Sequence, residues 1–212
     1  IVPQLVAAMG PCTGNPALMA QLSDIVVMVQ GTSMLAAGGP PIADAAIGKQ
    51  VTKEELGGSY VHCHISGVGG NEAKDDEECL RIIRRYPSYF PTNVYAAPAR
   101  VAPSDNPERR DKELLSIVPR NRKRPYNMVH VMWHVVGHDT QSEQKPHPGN
   151  SVVTRLARMD GDVVGLVGNQ PLNGAGIIDG AASDKMTHFL QLCDGFYVPL
   201  IFLSDVPGLM TG

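Results

Sequence analysis

The most telling pattern in the chain is an apolar run that stops abruptly at a glycine or proline turn, and it occurs at both ends. Val2-Pro-Gln-Leu-Val-Ala-Ala-Met9 leads into Gly10-Pro-Cys-Thr-Gly14, and Val198-Pro-Leu-Ile-Phe-Leu203 leads through Asp205 into Pro207-Gly208. A buried strand that ends in such a turn is how an α/β sheet presents backbone amides to a ligand. Two units of this type, each opening with Val-Pro, frame the sequence and suggest the central piece of a larger, internally repeated enzyme.

The positions between them alternate strand and helix signals. Asn15 to Leu22 predicts a short helix with Asn15 as N-cap and Pro16 at the first helical position. Asp24-Ile-Val-Val-Met-Val29 predicts a second buried strand. Gly38-Gly-Pro-Pro41 reads as a turn, followed by a short helix from Ile42 to Ile47 closed by Gly48. Ser59 to Ile65 alternates Tyr, His and His with Val, Cys and Ile, the period of a half-exposed strand. Asp75 to Tyr86 predicts a helix with Cys79, Leu80, Ile82 and Ile83 on one side. Its acidic start and its late Arg81, Arg84 and Arg85 complement the helix dipole. Further on, Tyr126 to Val136 and Ser183 to Cys193 predict helices. Ser151 to Arg158 and Val163 to Gly168 predict a hairpin turning at Met159-Asp160-Gly161-Asp162.

From Pro87 to Pro125 the character changes, with prolines at 91, 98, 103, 107 and 119 as well and few long apolar runs. This stretch reads as a crossing between two α/β halves. Leu114, Leu115, Ile117 and Val118 would want burial, so it is expected to pack on the surface. The expected division is residues 1–90, a linker over 91–125, and residues 126–212.

Composition narrows the function classes. The net charge of −3 gives no reason to expect nucleic acid or a membrane surface. No apolar run approaches the roughly 20 residues of a spanning helix. The 22 glycines and 17 prolines point to many tight turns. Cys12, Cys63, Cys79 and Cys193 form no Cys-x-x-Cys pair, which suits reduced thiols inside a cell. Cys79 and Cys193 fall in helical patterns and are expected to pack in the core.

Side-chain chemistry is sparse. His130, His134 and His138 recur every four residues and would share a helix face, but no Glu follows His130 and no remote ligand accompanies them, so no metal is expected. Gly174-Ala-Gly176-Ile-Ile-Asp-Gly180 resembles a dinucleotide loop with the wrong spacing. Cys12 could be a nucleophile with His62 or His64 as base, yet nothing in the sequence brings them together. There is no Gly-x-Ser-x-Gly elbow and no Walker loop. A chain rich in strand-then-glycine turns and poor in acids, bases and nucleophiles fits chemistry done by backbone amides, which can hold a developing oxyanion. Gly10-Pro11-Cys12-Thr13-Gly14-Asn15, opening onto a helix, is the best local candidate.

Many short matches in one order then carry a resemblance. Val2-Pro-Gln, Gly10-Pro-Cys, Thr52-Lys-Glu-Glu-Leu-Gly-Gly58, Ser66-Gly-Val68, Lys123-Arg-Pro-Tyr126, Gly168-Asn-Gln-Pro171, Asp184-Lys185, Cys193-Asp194 and Asp205-Val-Pro-Gly208 run almost end to end. Together they resemble the carboxyltransferase β subunit of biotin-dependent acyl-CoA carboxylases, propionyl-CoA carboxylase above all.

The resemblance implies an α/β fold of crotonase/ClpP-like ββα superhelices, with parts of two related domains, usually assembled as hexamers. It implies an acyl-CoA substrate, biotin on a carrier protein, and a biotin carboxylase or carrier subunit as partner. In such enzymes carboxybiotin supplies both the CO₂ and the base that takes the α-proton, and the protein supplies orientation and oxyanion holes. The first hole falls on the amides of Gly14 and Asn15, with Gly10, Cys12 and Thr13 lining the substrate. Asn15 departs from a second glycine, and Pro16 replaces a small residue and removes an amide. The second hole is expected beyond Gly212 and part of the first domain before Ile1. A cytoplasmic enzyme, or a mitochondrial matrix one in a eukaryote, would follow. A catalytically weak CoA-binding paralogue or scaffold, and a decarboxylating relative acting on a malonyl-type thioester, stand as alternatives.

Overall fold

A computed structural model describes all residues except 104, 107, 122, 138–139 and 211–212. The chain forms two compact units, Ile1–Pro87 and Ser88–Gly212.

The first unit is built on parallel strands. β1 (Leu5–Ala8), β3 (Ile25–Val29) and β5 (Asn71–Ala73) form one sheet in the order β1-β3-β5, and β2 (Pro11–Thr13) pairs with β4 (Met34–Ala36) in a second. Every residue of β3 is buried, as its unbroken apolar run requires for a central parallel strand. The helices are α1 (Asn15–Gln21), α2 (Pro40–Ile47), α3 (Lys53–Gly57) and α4 (Asp76–Arg85). α2 ends at Gly48 in the left-handed conformation, and α4 is capped by the Asp75 carboxylate, which accepts from the Glu78 amide. α3 was not predicted, although Thr52 and Glu55 form a reciprocal capping box at its start.

Three expectations for this unit need correction. The Gly10–Gly14 stretch is not a bare turn, because its middle is strand β2. Asn15 is not the N-cap. Gly14 holds that position, and Asn15 and Pro16 are the first helical residues. The predicted strand over Ser59–Ile65 is a π-helical turn, Val61–Ser66. Its alternating sequence also places partners four residues apart, and these contacts win: the rings of Tyr60 and His64 stack at 4.6 Å, and His62 Nδ1 lies 2.9 Å from Ser66 Oγ.

In the second unit, α5 (Leu114–Ile117) and α6 (Met128–Val135) precede the strands β6 (Ser142–Gln144), β7 (Val152–Met159) and β8 (Asp162–Asn169), then α7 (Gly180–Gly195) and β9 (Leu200–Leu203). The sheet order is β6-β7-β8-β9, antiparallel except for the parallel β8–β9 pair. Met128, Met132 and Val136 of the α6 segment pack on Val153, Ala157, Val164 and Leu166 of the hairpin.

The hairpin turns where Asp-Gly predicts it, with positive φ at both Asp160 and Gly161. A side chain at Gly161 would also clash with the Val101 carbonyl oxygen. That contact belongs to the proline-rich stretch, which lies within this unit. Arg158, buried beneath it, donates to the carbonyls of Ser88, Ala99 and Gly161. Cys79 and Cys193 are both fully buried.

Candidate functional site

The candidate site is the strand–turn–helix unit running from Gly10 through Asn15. Register pairs Cys12 with Leu35 and Thr13 with Ala36. Alternation along β2 then turns Pro11 and Thr13 outward and half-buries Cys12 against the cluster that contains Ala8, Ala20 and Leu35. The Cys12 thiol points back to the Gly10 carbonyl at 3.6 Å.

Gly14 makes the turn from strand to helix at φ +67°, a conformation that resists any side chain. Its N–H donates to the Ala36 carbonyl at 3.0 Å. Gly14 therefore does not offer a free amide, contrary to the sequence expectation, because the ladder between β2 and β4 continues one residue past its last strand pair. Its carbonyl accepts from Leu18 at 3.1 Å. The N-cap has no side chain to satisfy the first turn. Among the described residues, the amides of Asn15 and Ala17 have no protein acceptor, and Pro16 has none to offer. Asn15 is exposed, whereas Ala17 is half-buried. Open space flanks the other end of the unit, where a Cβ added to Gly10 would meet no atom within 4 Å.

The alternative chemistries do not assemble here. His62 cannot serve Cys12 as a base, since Nε2 lies 2.7 Å from the Leu35 carbonyl and Nδ1 lies 2.9 Å from Ser66 Oγ. His64 Nε2 contacts Glu72 Oε2 at 3.1 Å, and its ring stacks on Tyr60. Of the three periodic histidines, His130 and His134 both lie on α6. His134 is held between carboxylates, with Nδ1 2.8 Å from Asp111 and Nε2 3.2 Å from Glu113. His138 lies outside the described residues. Gly174–Gly176 forms a single 3₁₀ turn with Ala175 in the left-handed region.

Sequence reasoning missed two features of the second unit. Tyr126 Oη donates to Asp205 Oδ2 at 2.8 Å, which joins the approach to α6 with the end of β9. Burial, then the Asp205 carboxylate, pushes the Tyr126 phenol up to about 12. Lys185 is 3% exposed, with Nζ 2.7 Å from the Val152 carbonyl. Burial is the main cause that brings its ammonium down to about 8. The signal was present: Ala182, Lys185, Phe189 and Leu192 recur at helical spacing and are all buried, so the lysine sits in an apolar stripe.

Comparison with known proteins agrees with this architecture. The model of the carboxyl transferase domain matches residues 1–212. The chain is 37% identical to the carboxyltransferase subunit of propionyl-CoA carboxylase from Haloferax mediterranei, covering 100% of this chain and 41% of that protein. It is 35% identical to the methylmalonyl-CoA decarboxylase alpha subunit of Veillonella parvula, covering 100% of this chain and 42% of the relative. The chain thus spans about two-fifths of the length of these relatives. The hexameric transcarboxylase 12S core, solved with hydrolysed methylmalonyl-CoA, superposes with a TM-score of 0.94 at 34% identity, over 100% of this chain and 42% of that one. The crotonase-like α/β fold expected from the sequence is borne out by that likeness. Sequence, fold and relatives converge on one assignment: the chain belongs to the carboxyl transferase domain family.

Proposed function

We propose that the protein moves CO₂ from carboxybiotin to the α-carbon of an acyl-CoA, with propionyl-CoA as the first substrate to test. Family membership carries this reading, and the observation that gives it a site is the backbone amide of exposed Asn15, which has no acceptor among the described residues beside Gly14. Carboxybiotin, presented by a carrier protein, supplies the CO₂ and the base. The chain's own part is to hold the thioester. The Asn15 N–H meets the thioester oxygen as the enolate forms, and the dipole of α1 adds positive potential there. Gly14 makes the turn that exposes this amide. Gly10, Cys12 and Thr13 line the approach, with Gly10 leaving room for a close ligand. Ala17, two residues on in the same first turn of α1, contributes a second amide without a protein acceptor among the described residues.

The assembly is proposed to be a hexamer, as in the transcarboxylase 12S core, working with a biotin carboxylase or biotin carrier subunit. Leu18 and Met19 on α1 and Leu22 just after it stand exposed at 55%, 69% and 73%, which suits burial between subunits. No helix among the described residues is long and apolar enough to cross a membrane. A cytoplasmic or mitochondrial matrix site is proposed with this reading.

A second reading is favoured by one observation: the decarboxylase subunit is about as similar as the carboxylase subunit, at 35% against 37% identity. There the same transfer would run from a methylmalonyl-type thioester to biotin. The test is transfer of labelled carboxyl between methylmalonyl-CoA or malonyl-CoA and biotin. Label reaching biotin supports carboxyl transfer in either direction. Absence of exchange across acetyl-, propionyl- and butyryl-derived thioesters would leave a CoA-binding paralogue or scaffold.

A further inference from the structure

The second unit contains a cleft of about 860 Å³ outside the Gly10–Asn15 region, lined by Arg120, Lys123, Arg124, Tyr126, Pro171 and Asp205 among others. We infer that this cleft binds a small molecule carrying two or more phosphates, through Arg120, Lys123 and Arg124.

The first support is charge left unspent. The side chains of Arg120, Lys123 and Arg124 are exposed and make no hydrogen bond or ion pair among the described residues. Other arginines of the same unit behave differently. Arg100 pairs with Asp160 and Asp162, Arg109 with Asp105 and Asp111, and Arg155 with Glu143. In sequence, positions 120–124 carry four cations, Arg120, Arg122, Lys123 and Arg124, and such a run repels itself unless an anion joins it. Among the described residues the cleft has one carboxylate to set against them, that of Asp205, and it already accepts from the Tyr126 hydroxyl. The balance in the cleft is cationic.

The second support is position. β8 and β9 are parallel neighbours, so their carboxyl ends open on the same side. β8 runs out at Asn169 into Gln170-Pro171 and β9 at Leu203 into Asp205, and both exits reach the cleft. The carboxyl ends of parallel strands are where α/β sheets collect ligands. Proline, valine and alanine side chains make up the rest of the described wall, which gives an apolar surface beside the cations. Paired phosphates suit guanidinium forks, and the apolar wall suits the non-phosphate part of the ligand. The phosphates could belong to the nucleotide end of CoA, in which case this inference rests on the proposed function, or to a separate nucleotide.

Calorimetric titration of the protein with pyrophosphate, ADP, CoA and pantetheine tests the site without relying on turnover. The comparison is wild type, the triple variant R120Q/K123Q/R124Q, and a control K49Q/K53Q/K112Q that removes the same charge elsewhere. The expected result is binding of pyrophosphate by wild type and control, and a loss of about tenfold or more in the triple variant, with the affinity falling as salt rises. If CoA also loses affinity in the triple variant while pantetheine does not, CoA is the source of the phosphates. If only pyrophosphate and ADP lose affinity, a separate nucleotide is. Equal binding of all phosphate ligands by the triple variant and wild type, an equal loss in the control, or no binding by wild type, would overturn the site. Failure of carboxyl transfer alone would leave these titrations unchanged. The three side chains are exposed, so the variant is expected to fold, and single substitutions serve if it does not.

Discussion

The N–H of Gly14 lies 3.0 Å from the carbonyl oxygen of Ala36, one residue beyond the Thr13–Ala36 pair that closes the β2–β4 ladder. This bond decides where α1 begins. It clips the turn to β4, spends the glycine's own amide, and leaves Asn15 as the first free donor.

If the Asn15 amide holds the thioester oxygen, its side chain is dispensable and its N–H is not. Asn15→Gly keeps the N–H and should hold exchange of label between methylmalonyl-CoA and biotin within a few-fold of wild type. Asn15→Pro removes the N–H at a helix position where proline is tolerated, and should lower exchange by about 10²–10³. Melting curves of both variants check the fold. Equal exchange in the two variants would detach this amide from the reaction.

Gly14→Val tests the turn rather than the donor. At φ +67° and ψ −129° a β-branched residue is strained by roughly 1–3 kcal/mol, and relief would move the Asn15 amide. Turnover should fall sharply while the circular dichroism spectrum is retained. Unchanged turnover would remove this turn from the site.

Much of the scaffold was legible because its signals were local and redundant. The β3 run, the Asp-Gly hairpin and the α4 charge order each combine periodicity with turn or cap chemistry. The corrections came where one pattern served two geometries. Tyr60, His62 and His64 alternate like a strand, but they also meet partners four residues away. The segment Pro11–Thr13 looks like a turn until Met34–Ala36 arrives from more than 20 residues on to pair with it. For the same reason the sequence pointed to the site but not to the fate of its donors. No local signal says that Ala36 will take the Gly14 amide.

Arg158 is predicted to anchor the proline-rich stretch. It is 8% exposed and donates to the carbonyls of Ser88, Ala99 and Gly161. Arg158→Met removes one buried guanidinium donor from each of these carbonyls, with the Val101 N–H still bonded to that of Gly161, and should cost about 3 kcal/mol in urea denaturation. Arg158→Lys should recover little, since one ammonium cannot reproduce the planar fork. Limited proteolysis within residues 91–125 should become faster in both variants. Unchanged cleavage would mean that other contacts hold the stretch.

Tyr126 and Asp205 give a pH signature at the cleft. The phenol is pushed up to about 12, first by burial and then by Asp205. Asp205→Asn should bring its titration part of the way back toward 10, followed by phenolate absorbance. Because the folded pKa exceeds the unfolded one, the stabilisation is complete below about 10 and is lost as pH rises through about 12. Tyr126→Phe should cost about 1 kcal/mol at neutral pH. A Tyr126 titration that ignores Asp205→Asn would mean the 2.8 Å bond is not kept in solution.

Lys185 gives the opposite sign. Its ammonium is buried under α7 with the Val152 carbonyl as acceptor. Desolvation, helped by Lys145 and Arg155 and opposed by Glu143, lowers it to about 8 from 10.5. Between those values the unfolded chain holds a proton that the folded protein has released, so this site's contribution to stability rises with pH across the window. Below about 8 both states are protonated and the burial cost is felt in full. The gap corresponds to an upper figure on the order of 3 kcal/mol. Lys185→Met removes the titration. The stability of wild type minus that of the variant should therefore increase between about pH 7.5 and about pH 10 in urea unfolding. Other groups titrate in both proteins and cancel in the difference. A difference that stays flat across this range would mean the amine is solvated in the native state and the α7–β7 contact opens to water.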